Sequence, residues 1–500
     1  MSLVLCAALI LMLGGGDLTS VSEDDYDFSM PFEYRLVYKN LGDIPIGPDD
    51  FLEQRSYIEQ RLIFASNLYC GDVNVTTEFD AGGILDGDST NPMVNSSRIA
   101  RNHKYGWAVD RLFVRETYLL YSHKYYRIYL GQKLFHWGMG MLFNNGRERQ
   151  LFGENYFGDT GVGLKFSYFP MKLFMDSDLS DRIEMSHQMT YVIRDNFANN
   201  YYGDIAYQLA SSMTYDSESG MDLRDGFKVG LLYIYRDQTN RYDERMRLNI
   251  FDLFLKKEHF INNDISMPNI FLFFEFAYLI GNTEKKLYGR ERDYSIDSYG
   301  FILRSGITDK DYNIYIDLGY ALGDDNPYDG KMSQFIFNPE FREGIILFSE
   351  LYGFSSALSS VRSNKLLLSD PRPEYLESSE TMGGISNATF ISLNTSYKFA
   401  ALLRLDYSII LANTDKGIID SYFTYEVGEN RNYYDSVTNS KFLGVENDIG
   451  LESEWYRNRY FKIKTRCEYG ILFVGDALHN PDNKSDVISL FLMKISIDNL

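Results

Sequence analysis

AALLRLDYSIIL occupies residues 400–411, and its apolar and polar residues alternate. Leucine, tyrosine or isoleucine stands at each odd position from 403 onwards, whereas Arg404, Asp406 and Ser408 stand between them. The side chains of a β-strand point alternately to its two faces. The stretch therefore predicts a strand with one apolar face and one charged face.

The same period of two recurs in three other segments, PFEYRLVYK (31–39), YNIYIDLGY (312–320) and RYFKIKTRCEYGILF (459–473). The four segments are 9 to 15 residues long, and tyrosines often stand at the ends of their apolar faces. Strands of soluble proteins are usually about five or six residues long, whereas about ten residues are needed for a tilted strand to cross a bilayer. The length and the alternation favour an apolar exterior in lipid and a charged lumen in water.

The composition favours the same architecture. Aromatic residues make up 16% of the 500 residues, but the mean hydropathy is −0.28, which is too low for a membrane protein made of helices. A large soluble β-sandwich is the alternative, and its strands would be shorter. We predict an all-β protein, a single large transmembrane antiparallel β-barrel of 16–18 strands with long external loops, in the bacterial outer membrane.

The connections are also typical of a barrel with short turns at one end and long loops at the other. Between about 170 and 300 the alternation does not assign individual strands. Short turns are predicted at 68–72, 122–125 and 308–311, and long polar loops at 81–106, 136–158 and 324–384.

The N-terminal residues MSLVLCAALILMLGGG are almost all apolar. The run is too short for a spanning helix but has the length of the apolar part of a signal peptide. We predict a signal peptide over residues 1–20, with cleavage near Asp17, and an outer-membrane barrel over residues 21–500. The segment FLFFEFAYLI (271–280) has ten residues and contains Glu275, so it is predicted as a strand rather than a spanning helix.

Several functional classes are excluded by charge and motif. A net charge of −21 argues against a nucleic-acid partner, which requires a basic surface. The six histidines form no zinc motif, and none is followed two residues later by serine, as in outer-membrane phospholipases. The three cysteines form no C-x-x-C motif. We therefore expect no enzyme activity, no metal and no cofactor.

The stretch IYLGQKLFHWGMGMLFNNG (128–146) combines a histidine and a tryptophan with several glycines. Its first half alternates and predicts a strand, and its glycines predict a bend into a loop. His136 has no partner at catalytic spacing. We expect Trp137 in the aromatic girdle at the membrane interface, and we expect the loop to narrow the pore.

Basic residues recur on the polar faces of the predicted strands. They could form a cation ladder that attracts an anionic solute, or they could pair with nearby carboxylates and only make the interior rigid. The sequence leaves both alternatives open. The candidate pore-lining residues are Arg35, Arg61, Arg127, Lys133, Lys228, Arg304, Arg404, Asp406, Lys462, Lys464 and Arg466.

Four stretches together resemble the alginate-export-type outer-membrane barrels and related porin-like families. They are the predicted hairpin at 58–87, the stretch 128–146 with FGDT (157–160), GYALGDDNPYDGK (319–331), and the segment at 444–478 that ends in GDAL. The resemblance extends over most of the chain in order. It implies an exported single-chain barrel of about 18 strands that acts as a diffusion or export channel.

The resemblance and the strand pattern together predict a porin or export channel for a small or polymeric solute, either anionic or saccharide. The lumen of the alginate exporter is rich in arginine and selects a polyanion, whereas the polar faces here are more balanced. The expected partners are outer-membrane lipid, the barrel-assembly machinery, and a small-molecule or polysaccharide solute. The alternative is a barrel that serves as a scaffold or adhesion anchor without open conductance.

Overall fold

A closed antiparallel barrel dominates the computed structural model. The main sheet contains 20 strands, of which Tyr26–Ser29 and Lys331–Met332 are short additions, and the remaining 18 form the wall. This count refers to the described residues, which are 26–42, 44–48, 51–52, 55–87, 111–147, 150–154, 158–175, 178–195, 197–198, 200, 203–217, 225–240, 243–260, 268–284, 294–326, 329–365, 381, 383–437, 440–457, 461–479 and 487–499.

We number the wall strands in chain order. They are β1 (Phe32–Leu41), β2 (Arg55–Cys70), β3 (Val73–Gly87), β4 (Arg111–Ser122), β5 (Tyr126–Phe135), β6 (Asp159–Tyr168), β7 (Ile183–Arg194), β8 (Ile205–Asp216), β9 (Asp225–Thr239), β10 (Arg245–Phe260), β11 (Asn269–Thr283), β12 (Tyr294–Thr308), β13 (Tyr312–Ala321), β14 (Ala388–Ala400), β15 (Leu403–Thr414), β16 (Phe442–Arg457), β17 (Phe461–Val474) and β18 (Val487–Asn499).

Each wall strand pairs with the next in the chain, and the last pairs with the first. Glu33 of β1 lies opposite Asp498 of β18, and this antiparallel pairing closes the barrel. A closed sheet has no free edge, so the ladder satisfies its backbone groups inside lipid. The predicted all-β barrel of 16–18 strands is confirmed at the upper limit of its range.

The region between 170 and 300, which the alternation did not resolve, contains β7 to β11 and the start of β12. β3 also continues to Gly87, where a loop was predicted from residue 81. That prediction is wrong for residues 81–87, because the ladder with β2 continues there. The predicted signal peptide and the rest of the loop at 81–106 lie outside the described residues.

One end of the barrel has short turns, at 71–72, 123–125, 309–311 and 401–402, and the other end has longer loops. We name four of these loops, and each name refers to the described part of its range. They are the first loop (42–54), the inner loop (136–158), the plug loop (322–387) and the cap loop (415–441).

The outer surface of the barrel is apolar at its middle. Leu164, Met189 and Leu209, on three successive strands, are exposed, and Met189 reaches 64%. Aromatic pairs lie near the turn end, where the rings of Phe166 and Tyr168 are 5.7 Å apart, and others lie near the loop end. An apolar band between aromatic girdles is the surface expected of an outer-membrane barrel.

No helix among the described residues is long and apolar enough to cross a membrane. The helical segments are α1 (Tyr352–Lys365), α2 (Ser421–Val427), a π-helical turn (Leu347–Leu351) and the 3₁₀ turns Pro170–Leu173, Asp178–Asp181 and Asp476–Leu478.

The largest apolar core lies inside the barrel, at the loop end. It combines Ile44 of the first loop, Met141 of the inner loop, Phe337 of the plug loop and Tyr434 of the cap loop, all buried. The loops therefore bury their apolar side chains against one another and fill this end of the lumen.

Candidate functional site

The inner loop leaves the wall after β5 and turns into the lumen. Gly138 has a φ of +58°, and a Cβ built on it would lie 2.5 Å from a carboxylate oxygen of Glu275. Only glycine fits this close approach without strain. The backbone N–H groups of Met139 and Met141 then donate to Glu275 of β11, the second over 3.5 Å.

The far part of the same loop contacts the other side of the lumen. The N–H of Gly153 donates to Oε2 of Glu468 on β17 over 3.0 Å. Glu154 accepts from Lys494 of β18 over 2.6 Å and from Arg35 of β1 over 3.1 Å. The inner loop therefore extends between β11 on one side and β17, β18 and β1 on the other, and it narrows the lumen.

Trp137 lies inside the barrel. Its indole N–H donates to Oδ1 of Asp252 on β10 over 3.0 Å, and its ring lies 5.0 Å from that of Phe254. The predicted place of Trp137 in the membrane girdle is wrong, because β5 ends at Phe135 and the chain turns inward before residue 137. The predicted change from strand to loop within 128–146 is confirmed.

The plug loop is fixed to the wall by a buried carboxylate. Glu446 of β16 accepts the N–H groups of Ile345, Ile346 and Leu347 over 2.7, 2.6 and 2.6 Å. The amide of Asn338 donates to Oδ2 of Asp159 over 2.8 Å and so joins the plug loop to the end of the inner loop.

Glu343, a carboxylate of the plug loop itself, is also buried. Burial, together with the neighbouring Asp317, raises the pKa of Glu343 well above its usual range. The hydroxyl of Ser392 donates to Glu343 over 3.1 Å. The helices of the plug and cap loops meet through Arg362 and Asp420, whose charged atoms are 2.6 Å apart.

Nine of the ten predicted basic residues form ion pairs with carboxylates of the described chain; Lys133 is the exception. Asp406, the predicted acid, accepts from both Arg404 and Arg466. The longest of the nine contacts, between Arg127 and Glu184, is 3.7 Å. The nine are Arg35, Arg61, Arg127, Lys228, Arg304, Arg404, Lys462, Lys464 and Arg466.

The sequence left two alternatives open, a cation ladder and pairing with nearby carboxylates. Nine of the ten bases follow the second. That these residues and Asp406 line a conducting pore stays a prediction.

Two cavities flank the inner loop. The first, which we call the paired cavity, measures about 320 Å³ and lies against β1, β16, β17 and β18. Its lining contains six bases and five acids, so its charge is nearly balanced. The residues are Arg35, Arg147, Lys462, Lys464, Arg466 and Lys494, with Glu33, Glu154, Glu452, Glu468 and Asp498.

The second, which we call the lysine cavity, measures about 350 Å³ and lies against strands β4 to β9. Its charged lining residues are Lys133, Lys165 and Arg147, with Glu116 as the acid. The Nζ atom of Lys133 lies 3.7 Å from the centre of the Tyr129 ring. The balance of charge is therefore positive in this cavity and close to neutral in the other.

Sequence reasoning missed several residues of the site, although signals for two of them were present. Lys165 stands between the apolar residues Leu164 and Phe166, which is the alternation used elsewhere. Glu275 is a single acid in an apolar strand, and an ionisable group at that depth must face the interior rather than lipid. The role of Glu154 could not be predicted from the sequence, because its partners Arg35 and Lys494 are distant in the chain.

The fold is that of known outer-membrane porins. The chain is similar to OccK9 (OpdG) of Pseudomonas aeruginosa, with 11% identity over 95% of this chain and 98% of that one and a TM-score of 0.54. OccAB1 of Acinetobacter baumannii has 7% identity, coverage of 97% and 99%, and a TM-score of 0.51. OpdK of P. aeruginosa, solved with vanillate, has 11% identity, coverage of 95% and 98%, and a TM-score of 0.51.

No known family model matches the sequence, and no curated protein is similar to it in sequence. At such low identity the similarity to solved structures concerns the fold alone. The predicted porin-like fold, a large closed antiparallel barrel, is confirmed. The more specific resemblance to alginate-export-type barrels is not, since these neighbours are porins of the Occ and Opd type.

Proposed function

We propose that the protein is a passive outer-membrane channel for a small solute and performs no catalysis. The observation that carries this proposal is the inner loop, which extends through the lumen and leaves on each side a cavity that has charged lining residues. A loop that folds into a large barrel narrows the lumen without blocking it, and a channel that selects solutes by size requires such a narrowing.

An anionic solute is favoured over a cationic one. The lysine cavity carries unbalanced positive charge, which lowers the free energy of an anion inside a low-dielectric wall. OpdK, whose fold is similar, was solved with vanillate. A polysaccharide solute stays an untested prediction, and a polymer would require the inner and plug loops to move aside. The barrel-assembly machinery as a partner also stays a prediction.

Conductance in planar lipid bilayers tests the proposal. Purified, folded protein should give discrete current steps that persist at low voltage, and small solutes should enter liposomes that contain it. Protein that inserts fully, as shown by protection of its strands from protease, but gives no steps and no solute uptake would contradict a channel.

A barrel that serves as a scaffold without open conductance is the second candidate. The observation that favours it is the buried apolar core formed by the first, inner, plug and cap loops at the loop end of the lumen. If these loops do not move, the lumen is blocked at that end. The same conductance measurement separates the two functions.

A further inference from the structure

Two ammonium groups in the lysine cavity, those of Lys133 and Lys165, differ from the nine paired bases. Within the described residues, neither Lys133 nor Lys165 has a carboxylate at ion-pair distance. Their contacts are aromatic instead. The Nζ atoms of the two lysines lie 3.7 and 5.8 Å from the centre of the Tyr129 ring, and that of Lys133 lies 5.2 Å from Tyr118.

Ring faces attract a cation but carry no net charge. Two like charges that share one ring repel each other, and both are partly removed from water by the barrel wall. Arg147 adds little to the positive charge there, because its guanidinium pairs with Glu78, over 2.6 Å, and with Glu116. The cavity therefore holds positive charge that its own carboxylates do not neutralise.

We propose that Lys133 and Lys165 form a binding site for the oxygens of a small oxyanion and determine the anion preference of the channel. The inference rests on the proposed function. It places the selectivity on β5 and β6, not on the ion-paired bases of β15 and β17.

The rest of the lysine cavity suits an organic oxyanion. Uncharged hydrogen-bonding groups, among them those of Gln188 and Gln208, share the lining with the apolar side chains of Leu232 and Ile234 and with Trp137. Oxygens of the anion would accept from the two ammonium groups, and an apolar body would contact the opposite wall. A carboxylate such as benzoate should therefore bind more tightly than inorganic phosphate.

Trp137 lines the same cavity and provides a local reporter. In the full chain with Trp107→Phe and Trp455→Phe, Trp137 is the single tryptophan, and iodide quenches its fluorescence on contact. We expect Lys133→Gln with Lys165→Gln to lower the iodide quenching constant at least threefold. Added benzoate should reduce quenching in the parent protein at lower concentrations than phosphate does, and it should have no effect in the double variant.

Lys462→Gln with Lys464→Gln is the matched control, since it also removes two lysines, but from the paired cavity. This control should leave the quenching constant unchanged. Reversal potentials in a salt gradient should show at least a threefold loss of anion preference for the Lys133 and Lys165 pair, and a smaller change for the control. Folding of each variant is checked by its heat-modifiable migration on gels.

The two proposals fail in different ways. Current steps without lysine-dependent quenching, or equal selectivity changes in both double variants, would overturn the oxyanion site and leave the channel standing. Quenching that depends on Lys133 and Lys165 in a protein without conductance would overturn the channel and retain the site. Equal competition by benzoate and phosphate would contradict the apolar part of the site.

Discussion

Lys494, on the last strand of the barrel, lies 2.6 Å from Glu154 of the inner loop. The other carboxylate oxygen of Glu154 accepts from Arg35 of the first strand over 3.1 Å. A single acid of the loop thus contacts both strands that close the barrel. The position of the inner loop therefore depends on the ionisation of Glu154.

The first prediction concerns acid. Burial alone would raise the pKa of Glu154, but Lys494 and Arg35 lower it to about 2. A lowered pKa means that the carboxylate stabilises the docked loop above its unfolded pKa of about 4.5, and that this stabilisation is lost as the pH falls towards 2. As the pH is lowered from about 4.5 to about 2, we expect the exchange protection factor of the Gly153 amide to fall and the current noise to increase.

Glu154→Gln is the control for this window. The amide cannot ionise, so the variant should show faster exchange at neutral pH and a flatter pH dependence below 4.5, with the docked loop weakened by about 1–3 kcal/mol. An unchanged acid response in the variant would show that another group controls the loop.

The second prediction concerns the other anchor of the inner loop. Glu275→Ala removes the acceptor of two backbone N–H groups, at Met139 and Met141, and each buried N–H group left without an acceptor costs about 1–3 kcal/mol. We expect the loop to leave β11, which should increase conductance and reduce exchange protection at residues 139–141. Glu275→Gln keeps one acceptor oxygen and should have less than half the effect. An alanine variant with wild-type conductance would indicate that this contact does not narrow the pore.

The third prediction concerns the plug loop. Glu446→Ala leaves three buried N–H groups, those of Ile345, Ile346 and Leu347, without their acceptor. Each unsatisfied buried group costs about 1–3 kcal/mol, so the loop should detach from β16. If the plug keeps the lumen closed, single-channel conductance should rise several-fold. Glu446→Gln should give a smaller rise in conductance. An alanine variant that shows no conductance would favour the scaffold function.

The wall of the barrel was predictable from the sequence because it depends on local alternation. β15 lies where AALLRLDYSIIL alternates, and Asp406 faces the interior as its position in the pattern indicates. The segment at 271–280 was predicted as a strand and lies in β11, whereas the strands from β7 to β10 were missed as individual elements. Their inner faces contain apolar residues, such as Leu248 and Ile250, that face the loop core instead of water, so the contrast between the faces is weaker.

The candidate site was less predictable, because the inward loops are held by contacts distant in the chain. Glu154 and Lys494 are separated by 340 positions, and no local pattern connects them. Trp137 was placed at the membrane on its residue type, but β5 ends at Phe135 and the chain turns inward before residue 137. Lys133 was predicted as one of ten equivalent bases. Its difference from the other nine became visible only when the carboxylate partners could be measured.

The last prediction compares how much two predicted bases, Arg304 and Arg127, contribute to stability when their ion pairs differ in burial. Arg304 forms two hydrogen bonds of 2.8 Å with Asp317, whose side chain is 1% exposed. Arg304→Met would leave this carboxylate buried and unpaired, and such a loss costs about 3–5 kcal/mol. Arg127 and Glu184 are 3.7 Å apart and are 42% and 29% exposed. Arg127→Met should therefore cost less than about 1 kcal/mol.

Urea unfolding in lipid vesicles, followed by tryptophan fluorescence, measures both changes. Only Arg304→Met should shift the midpoint clearly, and adding Asp317→Asn should recover part of the loss because it removes the unpaired charge. Equal shifts for the two arginine variants would mean that burial of the partner carboxylate does not determine the strength of these pairs. Since both arginines lie on polar strand faces, that result would also weaken the contrast drawn between the paired cavity and the lysine cavity.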